Sequence, residues 1–519
     1  MTWRSAGVVC FVALSVLLVR QAWLYADVLR AAIHYPYGLD YGEGIVWQQA
    51  ALMFTPAAYG DITTFPMIVF HYTPLFHVVS RGLAAATSGD LFISGRAVSI
   101  LSTIGCGIAI AALVDSVVAT GATRTRRIAV AVASALIALC LRQVVAWSVL
   151  MRVDMLAHFF SLLGLWFGIR ALRVPRSVYV ASLCFLLAVF TKQNAIAAPA
   201  AFFGAALVLR PRVAARGLLC CALGGIATLA ILAYVTDGQI LRHIFLYNVN
   251  RVDLSQLHIA RDVAADNLGL IASALVGGFQ LAAPLWTLLR TSTRGVTARA
   301  ILDSPPYSAA VVMLAYSGIA TVMLIGIVKV GANYNYTIEW LLSLCVLAGS
   351  SVAMLMRDVG SREPERVIAH VRYPNVLFGP LLLVAQIMAF VQFDTAALSD
   401  PRHRGDLQAL VARIRNAPVP VVSDDMVLVM RAGKRVEIEP AIAAELASVG
   451  RWDERIYIQR MQRHDFAMFI TEQQRGDKAF DSRYNPAVAD AMAHAYPVIE
   501  HVGSLTLHLP AHRLARDAP

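Results

Sequence analysis

The residues able to do chemistry fall in five short segments between apolar runs. The first is Gly38-Leu39-Asp40-Tyr41-Gly42-Glu43-Gly44, with two carboxylates three residues apart before a helical run. Such a pair can supply a general base, a carboxylate within hydrogen-bond reach of the proton it takes. The same spacing suits a plain helix start, with Asp40 as N-cap and Glu43 as its capping-box partner. The second segment is Arg152-Val153-Asp154. It reads either as a helix cap with a local ion pair, or as a second acid near the first for sugar or metal contact. The third, Thr191-Lys192-Gln193-Asn194, sets one ammonium among polar neighbours. A lysine there either snorkels to the headgroups or holds an anion such as a phosphate. The fourth, Arg242-His243 with Tyr247 to Asp253, includes Asn248 and Arg251. It suits an interfacial helix touching headgroups, or a binding site. The fifth runs from Lys329 to Trp340 and includes Asn335, Tyr336 and Glu339. An aromatic belt explains the tyrosines and Trp340. It does not explain Glu339, an acid inside the start of an apolar run. Ionisable groups at membrane depth are costly and tend to be functional.

The elements that must position these groups are membrane helices. Of the 519 residues 58% are hydrophobic and 15% charged, with a mean hydropathy of +0.62. A soluble core of this size cannot hide so many apolar side chains, and a disordered chain would be far more polar. The expected fold class is a mainly α, polytopic membrane protein with a small α/β domain at its C-terminus. Apolar runs of about 20 residues mark eleven candidate spans, near 7–26, 95–119, 128–149, 154–170, 178–191, 195–210, 217–236, 267–289, 307–328, 337–356 and 373–393. The pieces at 178–191 and 195–210 are short enough to be tilted or broken.

The loops alternate in charge. Arginine clusters at 124–127, 170–176, 210–216, 290–299 and 357–372, with Arg4, give one face a net +12. The opposite loops carry −1 and the tail zero, so the overall +11 is a topology signal. It places the basic face and the N-terminus in the cytoplasm and the tail outside. It also removes nucleic acid as the expected partner. The Arg-rich, Lys-poor composition fits a bacterial inner (plasma) membrane. The first apolar run has no cleavage site and reads as a retained signal anchor.

Three parts are expected. A long outer loop spans 27–94 and contains Tyr72–Ala86, read as a helix in the headgroup layer. The bundle extends to 393. The tail, 394–519, alternates helical patterns (406–416, 441–449, 453–464, 487–496) with β-type runs (419–423, 467–471, 505–509). Its Ser423-Asp424-Asp425 reads as a turn. All seven cysteines sit in apolar runs, with no disulfide framework and no metal-type pair. No nucleotide-binding, serine-hydrolase or zinc-protease motif is present. An outer catalytic centre would therefore need a donor already in the membrane.

The order of these motifs resembles the GT-C glycosyltransferases, in particular the bacterial protein-mannosyltransferase-like enzymes related to the aminoarabinose transferase of lipid A. The resemblance rests on Asp40–Glu43, His71-Tyr72-Thr73-Pro74-Leu75, Gly95-Arg96 and Arg152–Asp154, with Lys192-Gln193 and Asn335-Tyr336…Glu339 alongside. It covers roughly residues 1–340 and the general layout of bundle and outer tail. It implies a hexosyl- or pentosyltransferase that takes a sugar from a polyprenyl-phosphate donor with inversion. The acceptor would be an envelope glycan, lipid or protein, and membrane lipids would surround the site. The family's base is an acid of the first loop. Position matches it to Glu43, because Glu43-Gly44 precedes the helix as the family's acidic pair does. Here Tyr41 and Gly42 separate the two acids, which leaves Asp40 open as the base. Lys192 is the first choice for the leaving phosphate, with Arg152, Arg251 and His71 behind it. Asp154, Tyr72, Gln193, Asn248, Lys329, Asn335, Tyr336 and Glu339 complete the expected site. No cofactor is required by the pattern, although a divalent metal ion is an option. A transporter or lipid flippase is the alternative, since charged groups and broken helices occur there too. A scaffold whose outer tail binds a partner is a third reading.

Overall fold

The computed structural model describes residues 3–118, 122–355, 374–390 and 395–511. The arginines Arg357, Arg362, Arg366 and Arg372, and the 393/394 boundary, lie outside those residues. The protein is a multi-pass helical membrane protein with a small sheet at its C-terminal end. Helices dominate because a backbone in lipid must satisfy its own polar groups within the segment.

In their described residues the eleven expected spans fall largely on helices, one of them on two. Six described helices are long and apolar enough to cross a membrane: Ser5–Ile33, Leu91–Asp115, Pro211–Val235, Leu268–Thr291, Pro305–Val328 and Asn335–Leu355. Ser177–Thr191, Ala197–Leu209 and Val376–Met388 are apolar but shorter, and Asp154–Ala171 has 18 residues. The expected straight span at 128–149 is broken. Arg124–Cys140 and Arg142–Ser148 meet at an angle of 84°. The bend turns the chain so that Val149–Arg152 runs beneath the first outer loop. That is how the Met151 backbone N–H comes to donate to Glu43 at 2.8 Å.

The outer loop contains two helices, Glu43–Leu52 and Leu75–Thr87. The second covers the expected headgroup-layer segment; it buries Phe76, His77 and Ser80. A single π-helical turn, Arg242–Leu246, pins the loop from the other side. His243 Nδ1 accepts from the Phe70 N–H at 3.0 Å, and its other ring nitrogen lies 2.8 Å from the Gly60 carbonyl. Nδ1 can accept only if the ring proton sits on Nε2, which then donates to Gly60.

The tail builds a four-stranded sheet from β1 (Val422–Ser423), β2 (Phe469–Thr471), β3 (Val498–Val502) and β4 (Leu505–Leu509). The order is β1-β2-β4-β3, with β1 parallel to β2 and the other pairs antiparallel. The four expected tail helices are present as Pro401–Asn416, Pro440–Ser448, Arg455–Gln462 and Pro486–Ala495. The tail does not fold apart from the outer loop. Ile45, Val46 and Trp47 share one core with Met426, Val427 and Val429. Ile62, Met67 and Val69 share another with Phe466 and Phe469. Loop and tail therefore lie on the same face of the bundle.

Candidate active site

The five sequence segments meet where the outer loop, the tops of the helices and the tail come together. The motif Asp40-Tyr41-Gly42-Glu43-Gly44 makes a different contact at every position.

Glu43 is the first residue of its helix, and Gly42 is an N-cap that makes no side-chain cap. The capping-box reading is thus corrected: Asp40 is not the cap, and Glu43 is not at the third position. Glu43 is fully buried. Its Oε1 accepts from Arg96 Nε at 2.9 Å and the Met151 N–H at 2.8 Å. Its Oε2 accepts from Arg96 Nη2 and the Leu39 N–H, both at 2.8 Å. Arg96, also fully buried, donates further to the carbonyls of Ala32, Tyr35 and Tyr37. Four donors leave this carboxylate no access to a substrate proton. Both oxygens of Glu43 are therefore engaged within the protein.

Asp40 is differently placed. Its Oδ2 accepts from the Gly42 N–H at 2.9 Å and lies 3.2 Å from Arg152 Nη1. Both side chains keep some exposure, 17% for Asp40 and 14% for Arg152. Gly42 is required here, because a Cβ on it would fall 1.4 Å from Arg152 Nη1. Gly44 is required for another reason: its Cβ would sit 2.6 Å from the backbone of Met426 and Val427. One glycine admits the arginine and the other admits the tail. Tyr41 also meets the tail. Its hydroxyl accepts from the Ala441 N–H at 3.2 Å, and the Arg483 guanidinium lies 4.1 Å from its ring centroid.

Asp154 and Arg152 do not form the local ion pair expected of them. Asp154 opens the helix Asp154–Ala171 and is fully buried. Its Oδ1 accepts from Lys192 Nζ at 2.6 Å and Asn335 Nδ2 at 2.9 Å. Its Oδ2 has no partner. Lys192 caps the end of Ser177–Thr191, is 6% exposed and lies 5.2 Å from the Tyr336 ring centroid. It does not snorkel: its ammonium points into the protein. Burial works against its charge, and Asp154 with Tyr336 and Tyr72 more than offsets that, so its pKa is raised. Arg152 likewise loses to burial, but the carboxylates of Asp40 and Asp154 hold it charged.

The remaining expected residues divide. His71 offers its backbone carbonyl to Gln193 Nε2 at 2.8 Å and Asn248 Nδ2 at 3.3 Å. Lys329 donates to Asn248 Oδ1 at 2.9 Å. These four form a strut under the loop. Burial, then Arg152 and Lys329, push the His71 ring down to about 3, so it is neutral and cannot serve as the cation for a phosphate. Arg251 is committed to Glu445 of the tail at 3.0 Å. Tyr72 packs its ring 4.3 Å from His71 and acts electrostatically on Arg152. Glu339 lies one turn beyond Asn335, with Oε1 buried and unpartnered. Asp40, Arg152, Tyr72, Asp154, Lys192, Asn335 and Tyr336 are therefore the residues drawn together.

Sequence reasoning missed the tail's share: Glu439, Arg483 and the Met426 backbone. Arg96 was legible only as part of a motif, although a lone arginine early in a 25-residue apolar helix is itself a signal. Unpartnered buried atoms gather around the centre: Asp154 Oδ2, Arg152 Nε, Glu439 Oε2, Gln193 Oε1, and both ring nitrogens of His158. Among the described residues no group of three or more His, Cys, Asp or Glu could hold a metal ion. The positive charge beside Asp40 is already supplied by Arg152.

No family model and no curated protein matches the sequence. Solved structures do. The crystal structure of ArnT from Cupriavidus metallidurans bound to undecaprenyl phosphate superposes with a TM-score of 0.54 at 13% identity, over 95% of this chain and 97% of that one. The chain has a GT-C fold. The same ArnT in the apo state gives 0.48 at 14% identity, over 98% of each chain. Archaeal oligosaccharyltransferase AglB from Archaeoglobus fulgidus, in complex with an inhibitory peptide and a dolichol-phosphate, gives 0.47 at 12%, over 98% of this chain and 75% of that one.

Proposed function

We propose that this GT-C-fold protein is a membrane glycosyltransferase. It moves a hexosyl or pentosyl group from a polyprenyl-phosphate donor to an envelope acceptor (glycan, lipid or protein) on the outer face, with inversion. The observation that supports this best is the pairing of partly open Asp40 with Arg152, next to a buried Lys192 held by Asp154. The ArnT structure was solved with undecaprenyl phosphate, and a donor of that class suits cations at the mouths of membrane helices.

The step follows from the residues. Asp40 takes the proton of the acceptor hydroxyl as its oxygen bonds to the anomeric carbon. The anomeric C–O bond to phosphate breaks, and the electron pair leaves with the polyprenyl phosphate. Lys192 and Arg152 stabilise the charge that grows on that oxygen, and fixed cations in a water-poor site are effective there. Asp154 and Asn335 orient Lys192; the strut at His71 fixes the loop that carries Tyr72. The arginine-rich face and N-terminus lie in the cytoplasm, the loop and tail outside the inner membrane.

The test is Asp40→Asn. Transfer should fall by two to four orders of magnitude, the usual contribution of a general base, with folding and donor binding retained. Normal transfer by this variant would sink the assignment.

A further inference from the structure

The tail sends one acid into the site. Glu439 precedes the helix Pro440–Ser448 and makes no side-chain cap there. It is 5% exposed, and its Oε2 has no partner. Its neighbours are treated differently. Glu437 pairs with Arg435 at 2.6 Å and Arg460 at 3.4 Å, and Glu445 pairs with Arg251. Among the described residues Glu439 has no ion pair. Its position is held from both sides. Ile438 bridges to Met67 of the outer loop, and the Ala441 N–H donates to Tyr41, the residue next to Asp40. The charges that act on Glu439 are Arg152 of the site and Arg483 of the tail.

We propose that Glu439 forms the acceptor side of the site and hydrogen-bonds an uncharged hydroxyl of a glycan acceptor. This rests on the glycosyl-transfer reading. The donor's lipid arrives from the bundle, through Lys192 and Arg152. The tail packs on the first outer loop beside Tyr41, and Glu439 is the unpaired acid it brings there. Burial pushes this carboxyl up to about 8 against the pull of Arg152 and Arg483. At neutral pH it therefore carries a proton, with one O–H donor and one acceptor oxygen. That pair suits a sugar hydroxyl and not an ammonium. A site that hydrogen-bonds a hydroxyl rejects analogues that lack it, because its own groups would be left unpaired.

The experiment uses the full-length protein in detergent as wild type, Glu439→Gln and Glu439→Ala. The probes are fluorescently tagged neutral oligosaccharides released from the envelope of the host cell, and a glucosamine oligosaccharide as the charged counterpart. Binding is read by native mass spectrometry. Glutamine keeps a donor and an acceptor, so Glu439→Gln should bind the neutral glycan within about threefold of wild type. Glu439→Ala should bind it at least about tenfold more weakly, a loss of one hydrogen-bonded contact. Equal binding by wild type and Glu439→Ala, or no binding by wild type, overturns the proposal. So does a glutamine variant as weak as alanine with the amino sugar preferred. Undecaprenyl phosphate binding is measured on the same samples and should not change among the three. Its absence from all three counts against the donor reading alone, and the glycan comparison still decides Glu439.

Discussion

Replacing Glu43 by Gln separates a strut from a base. Glu43 and Arg96 are fully buried and doubly hydrogen-bonded. The substitution removes the countercharge of a guanidinium that cannot reach water. It also turns an amide N–H2 toward a cluster of four donors. Breaking a buried pair by removing one partner costs about 3–5 kcal/mol. At about 2–4 °C per kcal/mol for mid-sized chains, and less for one of this length, the apparent Tm should fall on the order of 5–10 °C. The readout is built in: five of the seven free cysteines are buried, so a thiol-reactive dye follows unfolding in detergent. The double change Glu43→Leu with Arg96→Met should not recover the loss, because it also strands the Ala32, Tyr35 and Tyr37 carbonyls and the Leu39 and Met151 N–H groups. A Glu43→Gln protein with unchanged Tm and no transfer would refute the reasoning and restore Glu43 as the base.

Other outcomes follow from the same geometry. Gly42→Ala must push the Arg152 guanidinium off Asp40. A side-chain tip can yield, so the protein should fold while transfer drops by about a hundredfold, the cost of misplacing a reacting group; wild-type rates would contradict this. Gly44→Ala meets the backbone of Met426 and Val427 instead, which cannot yield. It should destabilise by about 1–3 kcal/mol and open the tail to limited proteolysis, and an unchanged digestion pattern would count against the close approach. Glu439 has a pH signature in stability. Its folded pKa, about 8 against an ordinary 4.5, means the folded state binds the extra proton. Its contribution is full below about pH 4.5 and is lost as pH rises through about 8, by roughly 5 kcal/mol at 1.36 kcal/mol per unit. Unfolding measured from pH 5 to 8 should show this decline in wild type and a shallower one in Glu439→Gln; identical slopes would remove the buried acid as its source.

Part of this was legible in the sequence. The helices were, because an apolar run of membrane length has few other uses. The break near Leu141 was not. It has no Pro or Gly to announce it, only the polar Arg142-Gln143 in an otherwise apolar run, and the contact it makes, Met151 to Glu43, is long-range. The sheet was legible at β2 and β4, which are buried and apolar. Strand β3 was not, because Glu500 and His501 interrupt its apolar pattern. In the site, Arg152, Asp154 and Lys192 stood out as charges between apolar runs. Their partners could not be read. Local spacing suggested Arg152 with Asp154, whereas each pairs with a residue from another helix or loop. The engagement of Glu43 by Arg96 could not be read either, because the sequence places Arg96 in a different element. Glu439 precedes a proline and reads as an ordinary helix start; only the packing of tail on loop sends it into the site.

The most direct test is mass spectrometry of the lipids that co-purify with the full-length protein, wild type beside Asp40→Asn and Lys192→Met. A polyprenyl phosphate or its sugar ester should accompany wild type and Asp40→Asn, with the sugar-bearing form enriched in Asp40→Asn, and be depleted in Lys192→Met of matched folding. Phospholipid alone in all three would contradict a lipid-phosphate donor held by Lys192.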